Sequence, residues 1–191
     1  TSIFPLGGPA GKTTTVELRG WNLPATNLIV KAGSKETAIQ SVSVRKGERV
    51  SNEVPFAVGT LPEVVEKEAN NTTAGAQEVT LPIVINGRMD QAGDTDVFRI
   101  EGRAGDHFVA EVSARRLGSP LDSMLKLTDA KGQQLAINDD CEDKASGLNT
   151  HHADSYLRAT LPSDGGYFIQ VSDTQHNGGE EYAYRFYLKC E

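Results

Sequence analysis

Helical periodicity is almost absent from this sequence. Apolar residues alternate with polar ones instead, and Gly, Pro, Asn and Asp punctuate the runs. No apolar run approaches the ~20 residues that a membrane helix needs, and no basic-then-apolar segment opens the chain. The first residues, TSIFPLGGPAGK, read like the inside of a longer protein, so an excised piece is expected. Positive charge is scarce where most of the chain lies. Residues 1–61 carry seven Lys/Arg and four Asp/Glu, a net of +3, whereas residues 62–191 carry twelve against twenty-two, a net of −10. Such an acidic surface argues against nucleic acid, which requires cations facing phosphates, and suits divalent cations.

Catalytic signatures are missing as well. There is no Gly-x-Ser-x-Gly, no His-Glu-x-x-His and no Walker loop. Ser155, His151, His152 and Asp154 are chain neighbours and cannot line up as a triad. A spaced carboxylate pair for glycoside cleavage is the one enzymatic alternative that an acidic sandwich leaves open. Only two cysteines occur, Cys141 and Cys190. Two buried thiols fit, and so does one disulfide closing a long loop, which would contribute about 3–4 kcal/mol in the chain-entropy model.

What is present is a series of short strands. TTTVELRG (13–20), LIVKAG (28–33), AIQSVSV (38–44) and VPFAVG (54–59) suggest a small antiparallel sandwich, with PLGGPAGK before them as a turn-rich loop. A polar stretch at 61–79 reads as a linker or an irregular edge. Strands resume at 81–86, 96–102 and 107–114, where Phe108, Ala110, Val112 and Ala114 share a face. Residues 124–139 read as a hairpin turning at Lys131-Gly132. Further strands follow at 155–162, 167–173 and 181–190. In the last, Tyr182, Tyr184, Phe186, Leu188 and Cys190 are expected to face the core, with Arg185, Tyr187 and Lys189 outward. The fold class is therefore all-β, a β-sandwich or jelly roll preceded by a smaller sandwich.

Five ordered segments carry a resemblance: EKEANN, NGRMDQAGDTDVFRIEGRAGD, LDSMLKLTDAKGQQLAINDD, LPSDGGYFIQVSD and YAYRFYL. From about residue 62 the chain resembles the bacterial pre-peptidase C-terminal (PPC) domain, which includes the collagen-binding domains of collagenases. FPLGGPAGKTTTVELRGWNLP is similar to the opening of IPT/TIG-type immunoglobulin-like domains, although the segment is short for that family. The long ARRLGSPLDS and THHADS segments resemble versions found in surface proteins of planctomycete-type bacteria. The implied organisation is an Ig-like β module at 1–60, an acidic lead-in or linker at 61–79 and a PPC-like β-sandwich at 80–191.

The resemblance also implies calcium. Carried over residue by residue, Glu66, Glu68, Asn70 and Asn71 of the lead-in and Asp94 and Asp96 of GDTDVF would be its ligands. The residue types suit the ion, which takes six to eight oxygens from carboxylates, amides, backbone and water. Glutamates at alternate positions of an extended segment point the same way, and gathered carboxylates repel unless a cation lies among them. Ala69 stands where the collagenase relatives usually have proline, so a less stiff lead-in is expected. A solvated acidic linker, with Asn70-Asn71 forming a turn, is the alternative. A second, weaker divalent site is read from Asp139, Asp140 and Asp154, against a plain polar loop. Trp21 and Tyr187 are expected to be partly buried packing residues, with ligand stacking as the rarer case.

The expected function is that of a non-catalytic, calcium-binding accessory module of a secreted, periplasmic or surface bacterial protein, used for attachment, spacing or stabilisation. The alternatives are a binding module for an extracellular protein or polysaccharide, and a carboxylate-dependent hydrolase. No nucleic-acid partner and no membrane insertion are expected, and the oligomeric state is left open.

Overall fold

A computed structural model describes residues 1–34, 38–140 and 152–191. The first module carries β1 (Ser2–Phe4), β2 (Gly7–Pro9), β3 (Thr13–Arg19), β4 (Asn27–Lys31) and β5 (Ala38–Val42). A short pair, β6 (Arg45–Lys46) and β7 (Arg49–Val50), leads to β8 (Val54–Gly59). The second module begins with β9 (Glu63–Val65), β10 (Gln77–Glu78), β11 (Ile83–Arg88), β12 (Thr95–Gly102) and β13 (His107–Ser113). It ends with β14 (Ser123–Asp129), β15 (Gln134–Asn138), β16 (Tyr156–Thr160), β17 (Gly165–Asp173) and β18 (Ala183–Cys190). One 3-10 turn, Arg115–Leu117, follows β13.

In the first module, β1-β3-β4 faces β2-β8-β5. Val16, Leu18, Val30, Phe56 and Val58 fill the space between them. In the second module, β10-β12-β17-β14-β15 faces β16-β13-β18-β11-β9. Alternation along the strands dictates that core. Phe108, Ala110 and Val112 from β13 meet Phe98 and Ile100 from β12, Ile169 and Val171 from β17, and Phe186 and Leu188 from β18.

Three pairings depart from the antiparallel expectation. β2 runs parallel to β8, β9 to β11 and β10 to β12. The stretch 61–79 thus contributes an edge strand to each sheet of the second module and crosses from one to the other. PLGGPAGK was expected to be a loop, but Gly7–Pro9 forms β2. Its glycines suit a close approach rather than a turn. A Cβ on Gly7 would collide with the Ala57 carbonyl and the Arg185 guanidinium.

The two modules meet at a built joint. Arg185, expected to face outward, is fully buried with its guanidinium bound to Glu63 at 2.7 and 3.0 Å and to Asn86 Oδ1 at 2.9 Å. Alternation does place it outside its own sheet, but the first module covers that face. Gly7 and Gly59 leave the room it needs. Arg88 stacks 4.3 Å over the Phe4 ring and pairs with Glu17 at 3.5 Å. Leu117 and Ala183 of the second module join the core of the first.

Candidate metal centre

Glu66 and Glu68 lie in the crossover just after β9, and Asp96 is the second residue of β12. The crossover carries these acids to the same end of the sandwich at which β12 begins. Their carboxyl oxygens come within 4.8 Å of one another. Asp96 is fully buried and Glu66 is half-buried, while Glu68 is exposed.

Buried Asn70 completes the group. The carbonyl end of its side chain lies 3.2 Å from Glu68 Oε2 and 3.1 Å from Asp96 Oδ1. Rotated by half a turn, the amide nitrogen at that position donates to both. With the oxygen there, four oxygen-bearing side chains face one another, which a cation would make favourable. The Asn70 backbone is pinned from below, because Val97 N donates to its carbonyl at 3.0 Å.

Two further residues shape the group, and neither was read from the sequence as part of it. Tyr184 Oη donates to Asp96 Oδ2 at 2.6 Å and to Glu66 Oε2 at 3.3 Å. Arg88 N donates to Glu66 Oε2 at 2.7 Å. Gly87 makes this approach feasible, since a Cβ there would strike Glu66 Oε2 and the Tyr184 ring. A tyrosine on the apolar face of the last strand was the available signal, because a buried hydroxyl needs a partner.

The electrostatics follow from burial. Desolvation, with the charge of Glu68 adding to it, pushes Glu66 up to about 7 against the opposing pull of its hydrogen bonds from Asp96 and Arg88. Desolvation and then the neighbouring Glu66 charge push Asp96 up to about 10. Burial foremost raises the Tyr184 phenol well above its ordinary value. Asp96 is therefore held protonated, and Glu66 partly so near neutral pH, unless positive charge arrives. A hard, oxygen-seeking cation would displace those protons, so the donor set fits calcium.

The other expected ligands are placed elsewhere. Asp94 turns its carboxylate to Asp90 N at 2.8 Å, to Thr95 N at 3.0 Å and to Asn71 Nδ2 at 3.0 Å. Asp94 and Asn71 thus pair with each other beside the group, and Asp94 closes the turn before β12. Nor do the residues of the weaker second site gather. Asp139 and Asp140 are exposed after β15. Asp154 is buried and accepts from Ala114 N at 3.1 Å, Arg115 N at 2.7 Å, Arg116 N at 3.2 Å and Arg116 Nε at 2.8 Å. Its role is to close the 3-10 turn. Among the described residues, Glu66, Glu68 and Asp96 are the one group of three ligating side chains this close together.

Cys190 is exposed at the last position of β18, contrary to the core position expected, although the strand still pairs with β13 at Phe108 there. Partial burial still raises its thiol pKa. Cys141, the other half of the candidate disulfide, lies outside the described residues, as does His151. Trp21, expected to pack, stands 96% exposed in the loop between β3 and β4. Tyr187 is half-buried, and its hydroxyl accepts from Arg185 Nε at 3.1 Å.

Comparison with known proteins bears on the second module. Residues 94–173 match the family profile of the bacterial pre-peptidase C-terminal domain. Over 156 residues the chain is 33% identical to a Deinococcus radiodurans protein named "Probable subtilase-type serine protease". The match takes in 74% of this chain and 20% of that protein, so the chain spans a fifth of the relative's length. Among solved structures, the pre-peptidase C-terminal domain of a Bacillus anthracis collagenase is 13% identical with a TM-score of 0.40, covering 61% of this chain and 94% of that one. A periplasmic inhibitor of g-type lysozyme from Aeromonas hydrophila is 16% identical with a TM-score of 0.41, covering 68% and 96%. Over residues 94–173 the all-β chain is therefore similar to a bacterial pre-peptidase C-terminal domain.

Proposed function

We propose that this chain is a non-catalytic accessory piece of a secreted, periplasmic or surface bacterial protein, and that its second module binds calcium through Glu66, Glu68, Asn70 and Asp96. The ion would supply the positive charge that lets buried carboxylates ionise. The chain's own residues do the rest. Tyr184 and Arg88 N orient Asp96 and Glu66, Gly87 admits them, and the crossover delivers Glu68 and Asn70. The convergence of three carboxyl groups on a buried amide carries this reading.

Calcium would also fasten the crossover, and with it the joint. Glu63, which holds Arg185, stands three positions before Glu66 on the same segment. A stiff spacer between neighbouring modules is the mechanical result. Exposed Trp21 supports an attachment role as well, since a lone aromatic can stack on an extracellular polymer.

Thermal unfolding in calcium and in chelator tests the ion. A ligand bound by the folded state alone adds about 2.7 kcal/mol at a hundredfold excess over its dissociation constant. A higher midpoint in calcium is expected, and equal midpoints at millimolar calcium contradict the reading. Retention of wild type and Trp21→Ala on immobilised polysaccharides and collagen tests attachment, with loss in the variant expected.

A further inference from the structure

A cleft of about 550 Å³ opens between the modules, where the outer face of β2-β8-β5 meets the outer face of β13-β18-β11. Ile39, Leu61, Val109, Glu111, Tyr187 and Lys189 line it. Ile39 is an apolar side chain left 56% exposed at the cleft wall. It belongs to β5, the last strand of its sheet, and among the described residues the far edge of β5 pairs with no strand.

The register identifies which backbone groups face that edge. Ser41 lies opposite Pro55, and Ile39 lies opposite Ala57. Pro55 has no N–H, so Ser41 and Pro55 form a non-hydrogen-bonded pair. Pairs alternate, so Ile39 and Ala57 do the same, and Ala57 N indeed donates away from β5 to Leu6 O at 2.9 Å. Ile39 and Ser41 therefore turn their N–H and C=O groups to the open edge. That edge offers two donors and two acceptors at strand spacing, beside a cleft with an uncovered isoleucine.

We propose that this edge binds an extended polypeptide segment, which adds a strand to β5 and lays alternate apolar side chains against Ile39, Val109 and Tyr187 in the cleft. A strand edge makes backbone demands that a peptide meets directly. The nearby charges impose no sign, because Glu111 pairs with Arg116 at 2.7 Å and Lys189 with Glu191 at 2.6 Å. Apolar, β-branched side chains are the expected preference. The site uses none of the carboxyl group of the metal centre, so it stands or falls separately from calcium.

The test uses the whole chain and a synthetic peptide that alternates valine and threonine between terminal lysines. Amide hydrogen exchange should slow at Ile39 and Ser41 when the peptide is added, and not with a peptide whose valines are replaced by proline. Ser41→Pro removes one outward donor while leaving the pairing with β8, and should weaken binding about tenfold. Ile39→Asp should weaken it as well, at an unchanged melting midpoint. Absence of protection at Ile39 and Ser41 at saturating peptide overturns the proposal, and this readout needs no variant. Binding of a soluble polysaccharide in the cleft, with those amides unprotected, also overturns it. So does protection that appears on raising the protein concentration alone, which would assign the edge to a second copy.

Discussion

Tyr184 on β18 donates a hydrogen bond to Asp96 on β12 across 2.6 Å, joining the two sheets of the second module at the end where the acids collect. The tyrosine ring belongs to the core, and its hydroxyl is the only part that reaches the carboxyl group. Tyr184→Phe keeps the ring and leaves Asp96 without that donor. A loss of about 1–3 kcal/mol is expected, measured by urea unfolding in chelator. A change within error would mean that the bond contributes nothing.

The raised carboxyl pKa values give a pH dependence with a definite sign. In the folded, ion-free protein Glu66 reaches about 7 and Asp96 about 10, both above their unfolded values. The folded state then holds more protons than the unfolded state, so stability falls as pH rises. The loss begins near the unfolded values and continues through the folded ones, with a limiting slope of about 1.4 kcal/mol per pH unit per proton. In chelator, the melting midpoint should drop between about pH 5 and pH 8. Calcium should flatten that drop, because bound ion replaces the protons. A midpoint in chelator that rises over this range contradicts the assignment.

The Arg185–Glu63 pair makes a separate prediction about the joint. Both partners are almost fully buried, with side-chain exposures of 0% and 8%. Glu63→Gln leaves a buried guanidinium without its counter-charge and should cost about 3–5 kcal/mol. The double change Glu63→Leu with Arg185→Met should recover much of that loss, since the desolvation of both charges disappears together. Calorimetric unfolding of the two variants tells them apart. Equal destabilisation would show that hydrogen bonds to Asn86 and Tyr187, rather than the charges, hold the joint.

Asp154 separates a structural acid from a metal ligand. Asp154→Asn weakens the four donors that close the turn after β13 and should lower the midpoint. The shift between calcium and chelator should stay the same size, whereas Asp96→Asn should erase it. If Asp154→Asn erases it, the ligands are elsewhere.

Much of this fold was legible from alternation. The faces of β13, β17 and β18 follow from period two, and Phe108, Ala110, Val112, Phe186 and Leu188 lie where the pattern puts them. The same pattern is silent about what covers an outer face. Arg185 therefore reads as solvent-facing, although another module buries it. β2 was missed because Gly7 and Gly8 have no side chains to alternate. Within the acid group, Asp94 and Asp96 were carried over together because the resemblance takes both from GDTDVF. β12 starts at Thr95, so Asp94 belongs to a turn and its carboxylate closes it. Asn70 and Tyr184 depend on contacts between distant strands, which spacing along one segment cannot supply.

Calorimetric titration of calcium into chelator-stripped protein is the most direct measurement. One ion per chain should bind with saturating heat and release protons to the buffer, and Asp96→Asn and Glu66→Gln should each abolish that heat. A flat titration of wild type, in protein shown to be folded, would contradict the account.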